Sequence, residues 1–142
     1  MPRDVSATNI LRVLSDKKTE RLFKTIITNK EMGSQALILE LGLSRRRYYV
    51  RINKLITAGL IVRYKGKYRL SSFGKVINNL QKTAEKASSI RWKLETIDSI
   101  KTSNHSDLAD IDYMKIINIL LDDNEIKDIL SALSRLSPRN DK

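Results

Sequence analysis

Residues 34–60, SQALILELGLSRRRYYVRINKLITAGL, predict two helices joined by a tight turn. Ser34 is expected to cap the first helix, because its hydroxyl can accept from an otherwise unpaired amide. Gly42 stands where the chain must turn, since glycine tolerates the left-handed conformation that ends a helix. Ser44 is the expected cap of the second helix. The apolar face of that helix is spaced four, three and four residues apart: Tyr48, Ile52, Leu55 and Gly59.

The opposite face of the second helix is cationic and aromatic. The side chains expected along it are Arg46, Tyr49, Val50 and Asn53. This layout is typical of a helix-turn-helix whose second helix enters the major groove of DNA. Arg45 and Arg46, at the helix start, are expected to contact base edges, because arginine can pair bidentately with guanine. Arg47 and Arg51 lie nearer the flanks and are expected to hold phosphates.

The next segment, residues 60–71 with the sequence LIVRYKGKYRLS, alternates with the two-residue period of a half-buried β-hairpin. The alternation predicts Tyr64 opposite Tyr68 and Val62 opposite Leu70, which requires a three-residue loop at 65–67. Basic side chains would then occupy one face and the tip, toward phosphates or the minor groove. They are Arg63, Lys65, Lys67 and Arg69.

The charge of this 142-residue chain is unevenly distributed. Residues 1–93 carry 21 Lys and Arg against 6 Asp and Glu, a balance of +15. Residues 94–142 carry 6 against 10, a balance of −4, and the sum is the total of +11. A basic front and an acidic back indicate a polyanionic partner for the front only. The alternative is a generally basic, solvated surface.

Composition narrows the function further. The chain has no cysteine and one histidine, which removes disulfides, thiolate metal sites and the commonest catalytic arrangements. His105 is expected in an exposed loop, and Asp107, Asp110 and Asp112 do not meet the calcium-loop pattern. We therefore expect no enzyme, cofactor or metal site. No apolar run approaches the roughly 20 residues that span a bilayer, so no membrane association and a cytoplasmic location are expected.

Three segments resemble winged helix-turn-helix regulators of the ArsR-like and MarR-like superfamily, including many archaeal ones. LGLSRRRYYVRINKLITAGLI resembles their shared helix-turn-helix pattern, VLSDKKTERLFKTII the start of ArsR-type domains, and YRLSSFGKVI the last wing strand running into a helix. The resemblance covers roughly residues 10–82 and implies dimeric, DNA-binding transcription regulators. Metal sensing is not implied, because the thiolate ligands of ArsR metal sensors are absent. Three consecutive arginines at the start of the recognition helix are a departure from many relatives.

A long helix is predicted over residues 73–100. Apolar or small residues recur three and four apart from Phe73 onward, a 3.5-residue period typical of a coiled-coil seam. The predicted dimerisation residues are Val76, Leu80, Thr83, Ala87, Ile90, Leu94 and Ile97. The alternative is that this helix packs only on its own domain.

An acidic helical hairpin is predicted over residues 101–137. Its first helix would run from Asp107 to about Leu121, and Asp123 or Asn124 would cap the second. This hairpin cannot bury its apolar face alone. It must fold onto the long helix, onto a second subunit, or onto another protein.

The predicted fold class is mostly α, in an α+β arrangement, with three parts. They are a winged helix-turn-helix domain with a two-stranded wing at 6–72, a coiled-coil-like dimerisation helix at 73–100 and the acidic hairpin at 101–137. The predicted function is a homodimeric regulator of transcription that binds double-stranded DNA. Two alternatives stay open: an architectural chromatin protein of the same fold with little sequence preference, and a protein-interaction module of the transcription machinery, recruiting its partner through the acidic hairpin.

Overall fold

The structure, a computed structural model, describes residues 6–103 and 110–136. Its elements over those residues are α1 (Ala7–Ser15), α2 (Lys17–Thr28), α3 (Ser34–Leu41), α4 (Arg45–Thr57), β1 (Ile61–Tyr64), β2 (Lys67–Leu70), α5 (Ser72–Ser89), α6 (Arg91–Ser103), α7 (Asp110–Leu120) and α8 (Asn124–Leu136). The expected mostly helical α+β class is confirmed. No helix in the described ranges has the length and apolar character to cross a membrane.

The chain divides within α5 into two compact units, Met1–Asn79 and Leu80–Lys142. The first unit is built around one apolar core. Its members are Ile10, Leu14, Leu22, Phe23, Ile26, Leu37, Leu43, Tyr48, Ile52, Leu55, Ala58, Leu60 and Ile61. Helices α1 to α4 and strand β1 all contribute, so the position of α4 is fixed by packing on several sides. Asp16 caps α2, its carboxylate accepting from the Thr19 amide at 3.3 Å.

The segment from α3 through α4 follows the expected pattern except at the start of α3. Gly42 ends α3 with φ +60°, and Ser44 caps α4, its Oγ accepting from the Arg47 amide at 3.3 Å. The prediction that Ser34 caps α3 is wrong, because Gly33 occupies the cap position without a side-chain hydrogen bond. The Ser34 hydroxyl is instead engaged by α4, accepting from the Tyr48 hydroxyl at 3.1 Å.

The register of the β-hairpin differs from the expected one. Ile61 pairs with Leu70, Arg63 with Tyr68, and the last pair joins Tyr64 to Lys67. The turn therefore has two residues rather than three, and Lys65 (φ +49°) and Gly66 (φ +76°) are both in the left-handed region. Two positive φ angles are typical of the type I′ turn, whose twist matches that of paired strands.

The start of α5 packs tightly against Leu60, in the segment that joins α4 to β1. Ser71 caps this helix, its Oγ accepting from the Gly74 amide at 2.8 Å and donating to the Gly59 carbonyl at 2.5 Å. A Cβ at Gly74 would stand 2.0 Å from the Leu60 carbonyl oxygen. Only glycine allows this close approach of α5 to the chain leaving α4.

The predicted single helix over 73–100 is wrong in one respect, because it is interrupted at Ile90. Helix α5 ends at Ser89 and α6 begins at Arg91. The Ser89 hydroxyl donates to the Lys86 carbonyl at 2.6 Å, inside the last turn of α5. Serine pairs of this kind compete with the helical hydrogen-bond ladder and favour a bend, and Ser88-Ser89 stand directly before the interruption.

The second unit has a separate core made by α6, α7 and α8. Its buried members are Ile97, Ile117, Leu121 and Ile126, with Ala87, Ile90 and Leu94 among the partly buried residues around them. Polar contacts join α5 to α8: Thr83 donates to Glu125 at 2.8 Å, and Lys86 pairs with Asp123 at 3.2 Å.

Of the three partners open to the acidic hairpin, its own chain is therefore the one observed. Asp123 caps α8, its Oδ1 accepting from the Ile126 amide at 3.0 Å. The expectations for His105, Asp107 and Leu108 fall outside the described residues.

Candidate nucleic-acid interface

Helix α4 has one buried and one exposed face. Tyr48, Ile52 and Leu55 are completely buried, as the helical period predicts. The exposed predicted site residues on this helix are Arg45, Arg46, Arg47, Tyr49, Val50 and Asn53. Tyr49 is 38% and Val50 47% exposed, so two of the largest apolar surfaces of the helix are open to solvent. Lys54 is also exposed, and sequence reasoning did not include it.

Arg51 is the predicted α4 site residue that the structure places differently. Its side chain is only 16% exposed and its Nε lies 3.5 Å from a carboxylate oxygen of Asp16. Its Nη1 donates to the Arg47 carbonyl at 3.2 Å. The hydrogen bond from the Thr19 side chain lowers the pKa of Asp16 most, and the charge of Arg51 lowers it further. Arg51 therefore braces α4 against the start of α2 rather than extending from the surface.

Two adjacent tyrosines anchor the exposed face to the core. The rings of Tyr48 and Tyr49 meet edge to face, with centroids 5.1 Å apart and planes inclined by 75°. Burial raises the pKa of the Tyr48 phenol, whose hydroxyl also bonds to Ser34. The exposed Tyr49 ring thus packs against a completely buried side chain.

The hairpin presents a mixed aromatic and cationic face. Because the turn has two residues, Val62, Tyr64, Lys67 and Arg69 share one face, while Arg63 lies on the other. The prediction that all four basic residues lie on one face and the tip is therefore wrong. Val62 and Tyr64, expected to point inward, are each 49% exposed. The Arg69 guanidinium lies 4.8 Å and the Lys65 ammonium 5.4 Å from the Tyr64 ring centroid.

Lys67 is tied back to the body of the first unit. Its ammonium lies 2.8 Å from the carboxylate of Glu31, in the connection between α2 and α3. The hydrogen bond from Lys67 is the main cause that lowers the pKa of Glu31, and the charges of Lys67 and Arg69 add to it. An anion that approached this face would therefore compete with Glu31 for Lys67.

The exposed faces of α4 and the hairpin belong to a long stretch without acidic residues. No Asp or Glu occurs between Glu40 and Glu85, and this stretch contains eleven Lys and Arg. This pattern is readable from the sequence and is sharper than the division at residue 93. Among the described ion pairs, Glu31 is the carboxylate that pairs with the hairpin, and it lies outside this stretch.

The predicted dimerisation residues separate into two groups. Val76 and Leu80 are each 57% exposed, and Phe73 before them is 42% exposed. The remaining ones face the core of the second unit or contact α8: Thr83, Ala87, Ile90, Leu94 and Ile97. Ile97 is only 3% exposed. The second half of the periodic seam thus packs within the chain, and its first half is exposed to solvent.

In the part of the chain that the structure describes, no group of three or more His, Asp or Glu is arranged to hold a metal ion. The model of a protein family described as an archaeal family matches residues 8–89, from α1 through α5 and more than half of the chain. No curated protein and no solved structure matches.

Proposed function

The chain belongs to this archaeal family, and we propose that it is a transcription regulator that binds double-stranded DNA as a homodimer through a winged helix-turn-helix. The observation that carries the proposal is the exposed face of α4, where cations and one aromatic ring project from a helix whose other face is completely buried. Helix α4 and the hairpin contain nine Lys and Arg and no carboxylate, and a polyanion is the partner that such a surface favours.

In this proposal α4 is the recognition helix and lies in the major groove. Arg45 and Arg46 stand at its N-terminal end, from which recognition helices usually reach base edges. Arginine reads guanine through two parallel hydrogen bonds. Asn53 supplies the amide that pairs with adenine, and Val50 an apolar contact for a thymine methyl. Arg47 holds a flanking phosphate.

The hairpin acts as the wing. Lys65 at its tip, Arg63 and Arg69 contact the sugar-phosphate backbone or the edge of the minor groove. The cation–ring contacts of Lys65 and Arg69 with Tyr64 hold these side chains near the strand. Ordering both cations before binding lowers the conformational entropy that the complex must lose.

Arg51 and Tyr48 have positioning roles. Arg51 joins α4 to the capping residue Asp16 of α2, and Tyr48 joins it to Ser34 at the start of α3. These contacts fix the rotation of α4 about its own axis. Arg46, Tyr49 and Asn53 consequently project in directions set by the core rather than by flexible loops.

The dimer is assigned to the exposed apolar residues of α5. Phe73, Val76 and Leu80 stand three and four residues apart, so they form a single stripe on the helix. Isolated apolar residues are common on surfaces, but a stripe of three large ones favours a helical partner. Two recognition helices would then meet half-sites about 34–36 Å, or a multiple, apart.

Selection of bound duplexes from a random DNA pool, near physiological salt, tests this function. A recovered palindrome with half-sites one helical turn apart is the expected result. Tight binding without a recovered motif would contradict sequence-specific regulation and favour the architectural alternative. If no duplex is retained, DNA binding is wrong, and a protein partner of the acidic hairpin becomes the next hypothesis.

A further inference from the structure

A cavity of about 280 Å³ lies between α2, β2 and α5 in the first unit. Its inner wall is apolar and is made by Ile26, Ile27 and Leu70. Ile26 is almost completely buried, so the apolar floor that a ligand could contact is made mainly by the partly buried Ile27 and Leu70. The volume is just below the range of about 300–1,000 Å³ that is typical of small-molecule sites.

The outer wall of the cavity carries three cations. Lys30 follows the end of α2, Arg69 lies on β2, and Lys75 stands in the first turn of α5. Asn78, one turn further along α5, adds an amide. Among the residues that the structure describes, none of those lining the cavity is acidic.

This combination selects a particular chemistry. An apolar floor favours the burial of a ring or short hydrocarbon body, because such surface gains free energy on leaving water. Lys30 and Lys75, which come from separate elements, attract a negative group and can form charge-assisted hydrogen bonds with it, whereas the Arg69 guanidinium lies over the Tyr64 ring. The positive end of the α5 dipole, near Lys75, adds to the same attraction.

We propose that this cavity binds a small organic anion, with an apolar body of one or two rings against Ile27 and Leu70 and a carboxylate or phosphate between Lys30 and Lys75. The site is separate from the recognition surface, since no residue of α3 or α4 lines the cavity. It goes beyond the proposed DNA binding, because the anion would bind whether or not DNA is present. Arg69 and Leu70 of β2 line the cavity, and Arg69 is the one of them that the proposed function assigns to DNA contact.

Two-dimensional NMR of the full ¹⁵N-labelled chain, titrated with 2-naphthoate, tests the site. The matched probe is 2-naphthalenemethanol, which has the same rings and no charge. We expect saturable shifts with naphthoate at the amides of Lys30, Leu70, Lys75 and Asn78, and weaker binding of the alcohol.

Variants separate the cavity from general surface charge. Lys30→Gln and Lys75→Gln should each weaken naphthoate binding by about fivefold, as expected when one partly exposed ion pair is lost. Lys82→Gln removes the same charge from an exposed α5 position outside the cavity and should leave the affinity unchanged. Each variant is first compared with the wild type by its amide spectrum, so that misfolding is recognised.

Four results would overturn the proposal. The first is the absence of saturable shifts with naphthoate. The second is equal binding of the acid and the alcohol, and the third is shifts centred on Val76 and Leu80 of the apolar stripe. The fourth is that a short DNA duplex shifts the cavity amides while naphthoate does not, which would assign these cations to DNA. Because no DNA enters the titration with naphthoate, its outcome is independent of the proposed regulatory function.

Discussion

Lys67 donates a charge-assisted hydrogen bond of 2.8 Å to Glu31, which joins the hairpin to the connection between α2 and α3. The carboxylate side chain is 81% exposed, so solvent and salt weaken this pair considerably. It stands beside a face rich in cations, where a DNA phosphate would compete for the same lysine. In the proposed complex this pair would compete with DNA, and it contributes little to the stability of the fold because the carboxylate is exposed.

Glu31→Gln should strengthen DNA binding. The change releases Lys67 and removes a negative charge near Arg69, so we expect affinity to rise by about twofold to fivefold. If Lys67 then engages one more phosphate, the slope of log K against log salt becomes steeper by about 0.9. Fluorescence anisotropy with a labelled duplex at several salt concentrations measures both quantities.

The control for this charge change is Glu95→Gln. Glu95 lies on α6 in the second unit, where it pairs with Arg91 at 2.9 Å. Its substitution alters the net charge by the same amount and should leave DNA affinity nearly unchanged. Equal effects of the two variants would mean that total charge, rather than competition for Lys67, controls binding.

Gly74→Ala should destabilise the first unit strongly. The new Cβ would stand 2.0 Å from the Leu60 carbonyl oxygen, which is backbone and cannot move aside cheaply. We expect a loss of about 3 kcal/mol or more in the free energy of unfolding, as for severe overpacking. Urea denaturation followed by circular dichroism measures it.

Gly33→Ala serves as the comparison, because a Cβ there would meet nothing within 4 Å and φ is already negative at −79°. At this cap position the change should cost no more than about 1 kcal/mol. Similar midpoints for the two variants would contradict the tight contact between α5 and Leu60.

Leu80→Asp should convert the dimer to a monomer without unfolding the chain. Leu80 is 57% exposed, so the charge should leave the core intact and act on the proposed intersubunit contact. Ile119→Asp changes a residue that is 80% exposed on α7 and should leave the molecular mass unchanged. Light scattering measures the mass. A Leu80→Asp variant with the wild-type mass would exclude this part of α5 as the interface.

The pH dependence of the second unit should carry the signature of Asp123. The hydrogen bond from the Ile126 amide, followed by that from Lys86, lowers the pKa of this carboxyl. Its stabilising effect is therefore fully present above the ordinary aspartate pKa of about 3.9 and is lost as the pH falls through the lower folded value. Asp123→Asn keeps an oxygen that can cap α8 and removes the charge.

The melting temperature of Asp123→Asn should accordingly lie below that of the wild type near pH 6, and the difference should shrink as the pH falls below about 3.9 and through the lower folded pKa of this carboxyl. Asp122→Asn, at the exposed neighbouring position, is the control and should show little difference at either pH. A difference for Asp123→Asn that stays constant over this range would exclude a role for its ionisation.

The helices of the first unit were predictable because the spacing of their apolar residues fits a helix and no other regular structure. Tyr48, Ile52 and Leu55 can share a face only in a helix, and the caps Asp16 and Ser44 act locally. The exposed set on α4 followed from the same period. Arg51 could not be assigned in this way, because its partner Asp16 is 35 residues earlier in the chain.

The hairpin register was not predictable from alternation alone. A two-residue turn places Val62 and Tyr64 on the face opposite to Tyr68 and Leu70, so each face mixes apolar and basic residues. The alternation of each strand is the same in both registers, and only the turn distinguishes them. Gly66 was the available signal, because glycine readily adopts a positive φ, whereas Lys65 before it is of a type that seldom occupies a type I′ turn.

The packing partner of the long apolar seam also could not be predicted from the periodicity of the sequence. A 3.5-residue period shows that a helix needs a partner, but it does not identify the partner. From Ala87 to Ile97 the partner is the chain's own α7 and α8. Ser88-Ser89 stand directly before the interruption of the helix. Serines also occur within uninterrupted helices, so these two residues alone did not predict the break.

Base readout by α4 is tested by the affinity of Arg45→Ala/Arg46→Ala for a selected duplex and for a random duplex at one salt concentration. Lys17→Ala/Lys18→Ala removes two exposed charges from α2 and is the matched control. If the exposed face of α4 reads base edges, the arginine variant should lose about tenfold or more on the selected duplex relative to the random one, and the lysine variant should lose equally on both. Equal losses of the arginine variant on the two duplexes would contradict base readout by α4.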